Sequence, residues 1–281
     1  MSTPEDFGVK GQKPSHPELL DYLAASLRDE SGWSLKKFHK MIVMSETYRQ
    51  SSAITPEMLN KDPLNIFLSR QNRLRLEAEI VRDNALSTSG LLNEEIGGPS
   101  IRPPQPVGIS ELTYANSAKW VESTGKEKYK RGMYIWFQRT SPYPTLMTFD
   151  ASESNVCIVK RERSNTPLQA LTLLNDVVFV EAAQALAKRV QSEAKPENRI
   201  EHLSRLALGR SPTPAEGKRL QQVFDDARKL TEGDSSEALK LLGKYAPDKL
   251  DAKSKADVAD AAAWVVVARV MMNLDEFLTR D

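Results

Sequence analysis

Cysteine occurs once in this chain, at Cys157, so no intrachain disulfide can form and no cysteine-rich zinc site can be assembled. A c-type haem is excluded for this chain too, because its attachment needs C-x-x-C-H. Histidine is almost as scarce. His16, His39 and His202 stand far apart and never as H-E-x-x-H, so no metal is expected. An excess of either charge is missing: Lys+Arg 39 face Asp+Glu 38, and a net charge of +1 gives no whole-chain drive toward nucleic acid. Long apolar runs are missing as well. The longest, residues 261–268, meets Arg269 at once and falls far short of the ~20 residues of a membrane helix, so no membrane span is expected. The opening text, MSTPEDFGVKGQKPSHPE, has neither the basic nor the apolar segment of a signal peptide. No G-x-S-x-G elbow and no G-x-x-x-x-G-K-[ST] loop is present, which removes the usual settings for a hydrolase serine and for a nucleotide phosphate.

What the chain does have is helix-start punctuation. Ser or Thr leads into Pro and then an acid or amide around Thr3, Ser15, Thr55, Thr166 and Thr213. The hydroxyl satisfies a free N–H of the first turn, and Pro there gives up a donor that had no partner. These signals predict a mainly α protein, an irregular multi-helix domain over residues 1–281 with at most a small β-hairpin element. Helices are expected over 16–29 and 35–48 as an antiparallel pair, then over 70–89 ending at Gly90. Further helices are expected from Thr166 to Asn175, from Val177 (recapped by Asp176) to 193, over 199–208 closed by Gly209, over 214–230, and over 256–277. In the last of these, Trp264, Val267, Ala268, Met271, Leu274 and Leu278 form the predicted buried side. Residues 97–108, GGPSIRPPQPVG, cannot be regular structure, and residues 233–236 read as a linker. The aromatic run 133–137 and the apolar run 156–159 are the β-prone segments, expected to pair. His39 reads as a packing histidine, and Cys157 as a buried, inert thiol. The N- and C-terminal helices are expected to share a core.

The densest chemistry lies within residues 131–190, where Arg161, Glu162 and Arg163 stand between an apolar run and a capped helix start. An arginine left partly buried there needs a carboxylate partner. Asp150, on the irregular connection, is the first acid in question, with Arg139, Arg161 or Arg163 as its partners. The expected hub comprises Arg139, Asp150, Arg161, Glu162, Arg163 and Asn165 with Glu77 and Asp83 from the 70–89 helix. Two roles stay open: a structural network, or a ligand site. Asp150 and Glu162 also stand as the centre of a carboxylate pair acting on a polysaccharide. Aromatics Tyr134, Trp136, Phe137 and Tyr143 could line a sugar platform, though a core face uses such residues more often.

Several blocks in fixed order carry a family resemblance: SHPELLDYLA, SGWSLKKFHKMIVMSETYRQSS, RLRLEAEIVRD, GGPS, RTSPYPTLMTFD, KRERSNTPLQALTLLNDVVFVEAA and NLDEFLTRD. Together they resemble the planctomycete-type domain of unknown function 1553 over nearly the whole chain. The resemblance implies a C-terminal domain of a multidomain protein, exported to the periplasm or cell envelope and linked to polysaccharide use. It implies upstream domains of the same polypeptide as partners, one of them cytochrome c-like, so haem is expected there and no cofactor here. A glycan is the ligand it suggests, and it brings no established catalytic residues. Relatives usually carry Pro after the Asn-Asp pair where this chain has Val177, which predicts a softer helix restart. The family domain normally begins further upstream, so Met1 reads as a truncated or internal start.

Overall fold

The computed structural model describes residues 3, 6, 8–106, 119–154, 157–247 and 254–280. Among them lie eleven α-helices and one two-stranded antiparallel sheet, so the chain is mainly α with a small β element. Its contacts divide it into two compact units. The smaller takes Met1–Arg75, Cys157–Lys160 and Thr279–Asp281; the larger takes Leu76–Val156 and Arg161–Leu278.

In the smaller unit, α1 (Pro17–Ala25) runs into a π-helical turn (Ser26–Glu30), followed by α2 (Leu35–Met44) and α3 (Pro56–Lys61). Ser34 caps α2 by accepting from the Lys37 N–H, and Thr55 caps α3 by accepting from the Met58 N–H at 3.2 Å. At α1 the cap position falls on His16, whose side chain makes no cap bond, and the Ser15 hydroxyl lies against the His16 ring instead. No residue of α1, α2 or α3 is buried, and Leu19, Leu20, Leu35 and Val43 are exposed. The expected core shared by N- and C-terminal helices is therefore corrected, since the main core draws no residue from these three helices. His39, expected to pack, is exposed as well.

The sheet is also in the smaller unit. β1 (Leu74–Arg75) pairs antiparallel with β2 (Thr279–Arg280), Leu74 opposite Arg280 and Arg75 opposite Thr279. This corrects two expectations. The helix predicted over 70–89 starts only at Ala78, because R-L-R-L alternates with period two and suits a strand. The hairpin between 133–137 and 156–159 does not form. Gly132–Tyr134 is a 3₁₀ turn, Cys157, Ile158 and Val159 are exposed coil or bend, and Val156 lies outside the described residues. Ile135 instead bridges to Ile101 of the Pro-rich stretch: Ile101 donates to the Tyr134 carbonyl and Trp136 to the Ile101 carbonyl, each at 2.8 Å. Residues 107 and 108 of that stretch lie outside the described residues, as do Pro4 and Glu5 of the first cap signal. Cys157, expected buried, is exposed.

The larger unit holds α4 (Ala78–Ser89), α5 (Pro144–Thr148), α6 (Pro167–Asn175), α7 (Val177–Glu193), α8 (Arg199–Leu208), α9 (Pro214–Gly233), α10 (Ser235–Leu242) and α11 (Ser254–Met272). Phe179, Ala182, Leu186 and Val190 of α7 are buried, as are Ala262, Val267, Ala268 and Met271 of α11. These two helices form the middle of the core, with α4, α9 and α10 packed around them. Asp176 restarts the chain as α7 by accepting from the Val178 N–H at 2.9 Å, with Val177 at the first helical position. The expected linker at 233–236 is corrected: Asp234 accepts from the Ser236 and Glu237 N–H groups and opens α10. Leu274, expected buried, is exposed, because the chain leaves α11 at Met272 and enters a 3₁₀ turn, Asp275–Leu278. No single described helix is long and apolar enough to cross a membrane; only α6 and α7 together qualify, and they meet at a 58° bend.

Candidate functional site

The charged residues foreseen as one hub separate into three groups, all in the larger unit. Glu77 stands at the N-cap position of α4 and Glu79 in its first turn, where the free N–H groups favour negative charge. Arg161 donates to Glu79 at 2.7 Å and lies 3.9 Å from Glu77, which in turn accepts from Arg163 at 3.2 Å. The bond to Glu79, chiefly, raises the Arg161 pKa. Two acids and two arginines cancel, and both arginine side chains keep about a third of their surface, at 31% and 35%.

Asp150 turns to other partners. It sits at φ 63°, in the left-handed region that Asp tolerates better than most residues. Its carboxylate accepts from the Ser164 N–H at 2.7 Å and from the Ser164 hydroxyl at 2.8 Å, and from the buried Gln169 amide at 3.4 Å. Gln169 also donates to the Thr148 carbonyl, so the group ties the end of α5 to the start of α6. Glu162, Asn165 and Arg139 are exposed.

Asp83 belongs to a third group. It accepts from the Gly132 N–H at 2.7 Å and not from the foreseen Arg161 or Arg163. Burial raises its pKa, opposed by that N–H and by Arg82. Arg82 is 1% exposed and donates to the carbonyls of Lys128 and Lys130 at 2.6 and 2.7 Å. Burial lowers its pKa. These bonds clamp residues 128–132 onto α4 and thereby present Lys128 and Tyr129.

There the sequence reading missed a cluster. Glu181 of α7 accepts from the Lys128 ammonium at 3.1 Å, from the Tyr129 hydroxyl at 2.7 Å and from Lys244 at 2.5 Å. Lys244 also reaches the Tyr129 hydroxyl at 3.1 Å and stands 5.1 Å over the Tyr245 ring, which Lys188 approaches at 5.2 Å. Burial lowers the pKa of Lys128 and Lys244, and the bonds to Glu181 and Tyr129 outweigh it, so both end raised and stay charged. Burial likewise works to raise the Glu181 pKa, and the same bonds outweigh it, leaving it lowered. Gly243, at φ 52°, makes the turn that delivers Lys244 and Tyr245. A cleft of about 370 Å³ adjoins through Lys188 and Tyr245, lined also by Gln184, Gln191 and Ser192 and by no acid.

The cluster holds three ammonium groups against one carboxylate, two phenol rings, and amides and a hydroxyl on the cleft wall. That set suits an anionic, hydroxyl-rich ligand: ammoniums for its charge, rings for its apolar faces, amides for its hydroxyls. Its one sequence signal was the repeated Lys-Tyr pair, at Lys128-Tyr129 and Lys244-Tyr245. Among the described residues, no group of three or more His, Cys, Asp or Glu could hold a metal ion.

Residues 1–224 match the model of a family described as PSD1, protein of unknown function (DUF1553). No curated protein and no solved structure matches the chain.

Proposed function

We propose a function from the premise that this chain belongs to the DUF1553 family: it is a structural or binding module whose ligand is an acidic or sulfated glycan. The observation that carries the reading is the surplus of ammonium groups around Glu181, set with Tyr129 and Tyr245 beside an acid-free cleft. The wider setting follows the resemblance: an exported, cytochrome c-associated multidomain protein of the cell envelope, linked to polysaccharide use. Upstream domains of the same polypeptide are then its first partners, and any haem sits in one of them. The Glu77–Arg161–Glu79–Arg163 group and the Asp150–Ser164 pair act here as ties between segments.

Hydrolysis through a carboxylate pair is the alternative, and the geometry supports it less. Of the two acids expected at its centre, Asp150 is engaged by Ser164 and Gln169, and Glu162 is exposed. A glycan array read beside a reducing-end assay separates the two. The module reading expects retention of sulfated or uronic-acid glycans without turnover, and about tenfold weaker binding in Lys188→Glu or Lys244→Gln. Turnover abolished by Glu162→Gln or Asp150→Asn would establish the enzyme instead. Binding indifferent to both lysines would remove the site.

A further inference from the structure

We infer that the smaller unit carries a separate ligand site, for an amphiphile with one carboxylate on an aliphatic or aromatic body. It shares no residue with the lysine–tyrosine cluster and stands whether or not that cluster takes a glycan. A cavity of about 430 Å³ is walled by Leu19 and Leu23 of α1, Met41 and Ile42 of α2, and Leu68. Its size and apolar walls are those of a small-molecule pocket, which usually adds a few converging polar groups to fix orientation. Here that group is Arg70.

Arg70 lines the cavity and is only 6% exposed. Its Nη2 donates to the Pro63 carbonyl at 3.1 Å, while Nη1, also buried, has no hydrogen-bond partner. Among the described residues Arg70 has no ion pair, and no Asp or Glu lines the cavity. A buried cation without a counter-ion is an expensive arrangement, and a carboxylate that reached Nη1 would relieve it with a charge-assisted bond. The guanidinium is held in place for this. Asn65, 5% exposed, donates to the Arg70 carbonyl at 2.8 Å and to Asn72 at 3.0 Å, which fixes the backbone on which Arg70 sits.

A second cavity, about 590 Å³, shares Tyr48, Gln71 and Asn72 with the first and is lined by Arg49 and Arg280, again without an acid. Both arginines are exposed. These two cations beside the shared residues favour an anionic head on that side. The walls of the first cavity then take the apolar body, and the head lies toward Arg70.

The test is calorimetric titration of the full chain with decanoate, 1-decanol and decyltrimethylammonium, each below its micelle concentration. Decanoate should bind at least about tenfold tighter than either neutral or cationic probe, and Arg70→Gln should remove that preference while decanol binding stays. Equal affinities for the three, no binding of any, or a preference that survives Arg70→Gln would each overturn the inference. Should Arg70→Gln fail to fold, Leu19→Glu places a competing carboxylate on an exposed wall position. It should weaken decanoate about tenfold, and unchanged affinity would overturn the site. A peptide with a free C-terminal carboxylate, such as acetyl-Leu-Leu-Phe, is the remaining arm: binding of that probe without decanoate would assign the groove to a polypeptide instead.

Discussion

Gly132 has no room for a side chain. An added Cβ would stand 2.9 Å from the Glu79 Cα and 3.0 Å from its carbonyl oxygen, and backbone cannot yield as a flexible side-chain tip would. Gly132→Ala should therefore destabilise by about 1–3 kcal/mol through overpacking. The change would be read as a lower urea midpoint with the slope retained. A midpoint equal to the parent's would mean that residues 128–132 slide on α4 without cost. Two arginines make a sharper comparison. Position in the sequence pointed to a partly buried arginine at Arg161 or Arg163, whose side chains are 31% and 35% exposed, whereas Arg82 is 1% exposed. Arg163→Ala should then cost less than about 1 kcal/mol, as exposed pairs do. Arg82→Met should cost about 3–5 kcal/mol, because one buried and one partly buried carbonyl lose their donor and Asp83 its nearby cation. Equal losses in the two variants would show the burial argument to be wrong. Arg82 was missed for a simple reason: in R-D-N-A-L it reads as one more charge on a solvated face, and only the carbonyls of a segment some fifty positions away make it a core residue.

Helix starts were legible because the chemistry of a cap is confined to four residues. Thr55, Thr166, Asp176 and Thr213 each accept from an N–H two or three positions ahead, as their sequences predict. Long-range joins were not legible. The alternation at Leu74–Arg75 announces a strand without saying that Thr279–Arg280 is its partner, and nothing near Glu181 announces Lys244. The join between α8, α9 and the final 3₁₀ turn is of the same kind. Arg210 donates to Glu216 at 2.8 Å and to Glu276 at 2.7 Å, while Glu216 also closes a capping box with Thr213. The bond to Arg210, then the Thr213 N–H, pulls the Glu216 pKa from its ordinary 4.5 down to about 2. A carboxylate depressed in this way adds stability above pH 4.5, and that contribution is lost as pH falls from 4.5 through about 2. Glu216→Gln should accordingly flatten the acid limb of a stability–pH curve. Carboxyl titration followed by NMR gives the direct check, and a Glu216 midpoint at the ordinary value would sink the claim.

Over the whole molecule, protection should follow the core. α7 and α11 bury side chain after side chain, whereas α1, α2 and α3 bury none. Native-state hydrogen exchange should therefore be slowest in Val177–Glu193 and Ser254–Met272 and fastest among the first three helices. Protection of α2 equal to that of α7 would contradict this. The sheet has a further consequence, for the order of events during synthesis. Arg280 is made about 200 residues after Leu74, a delay of ~10–40 s at ~5–20 residues per second. Through that interval β1 has no strand to pair with, so the smaller unit is begun before the larger one and completed after it.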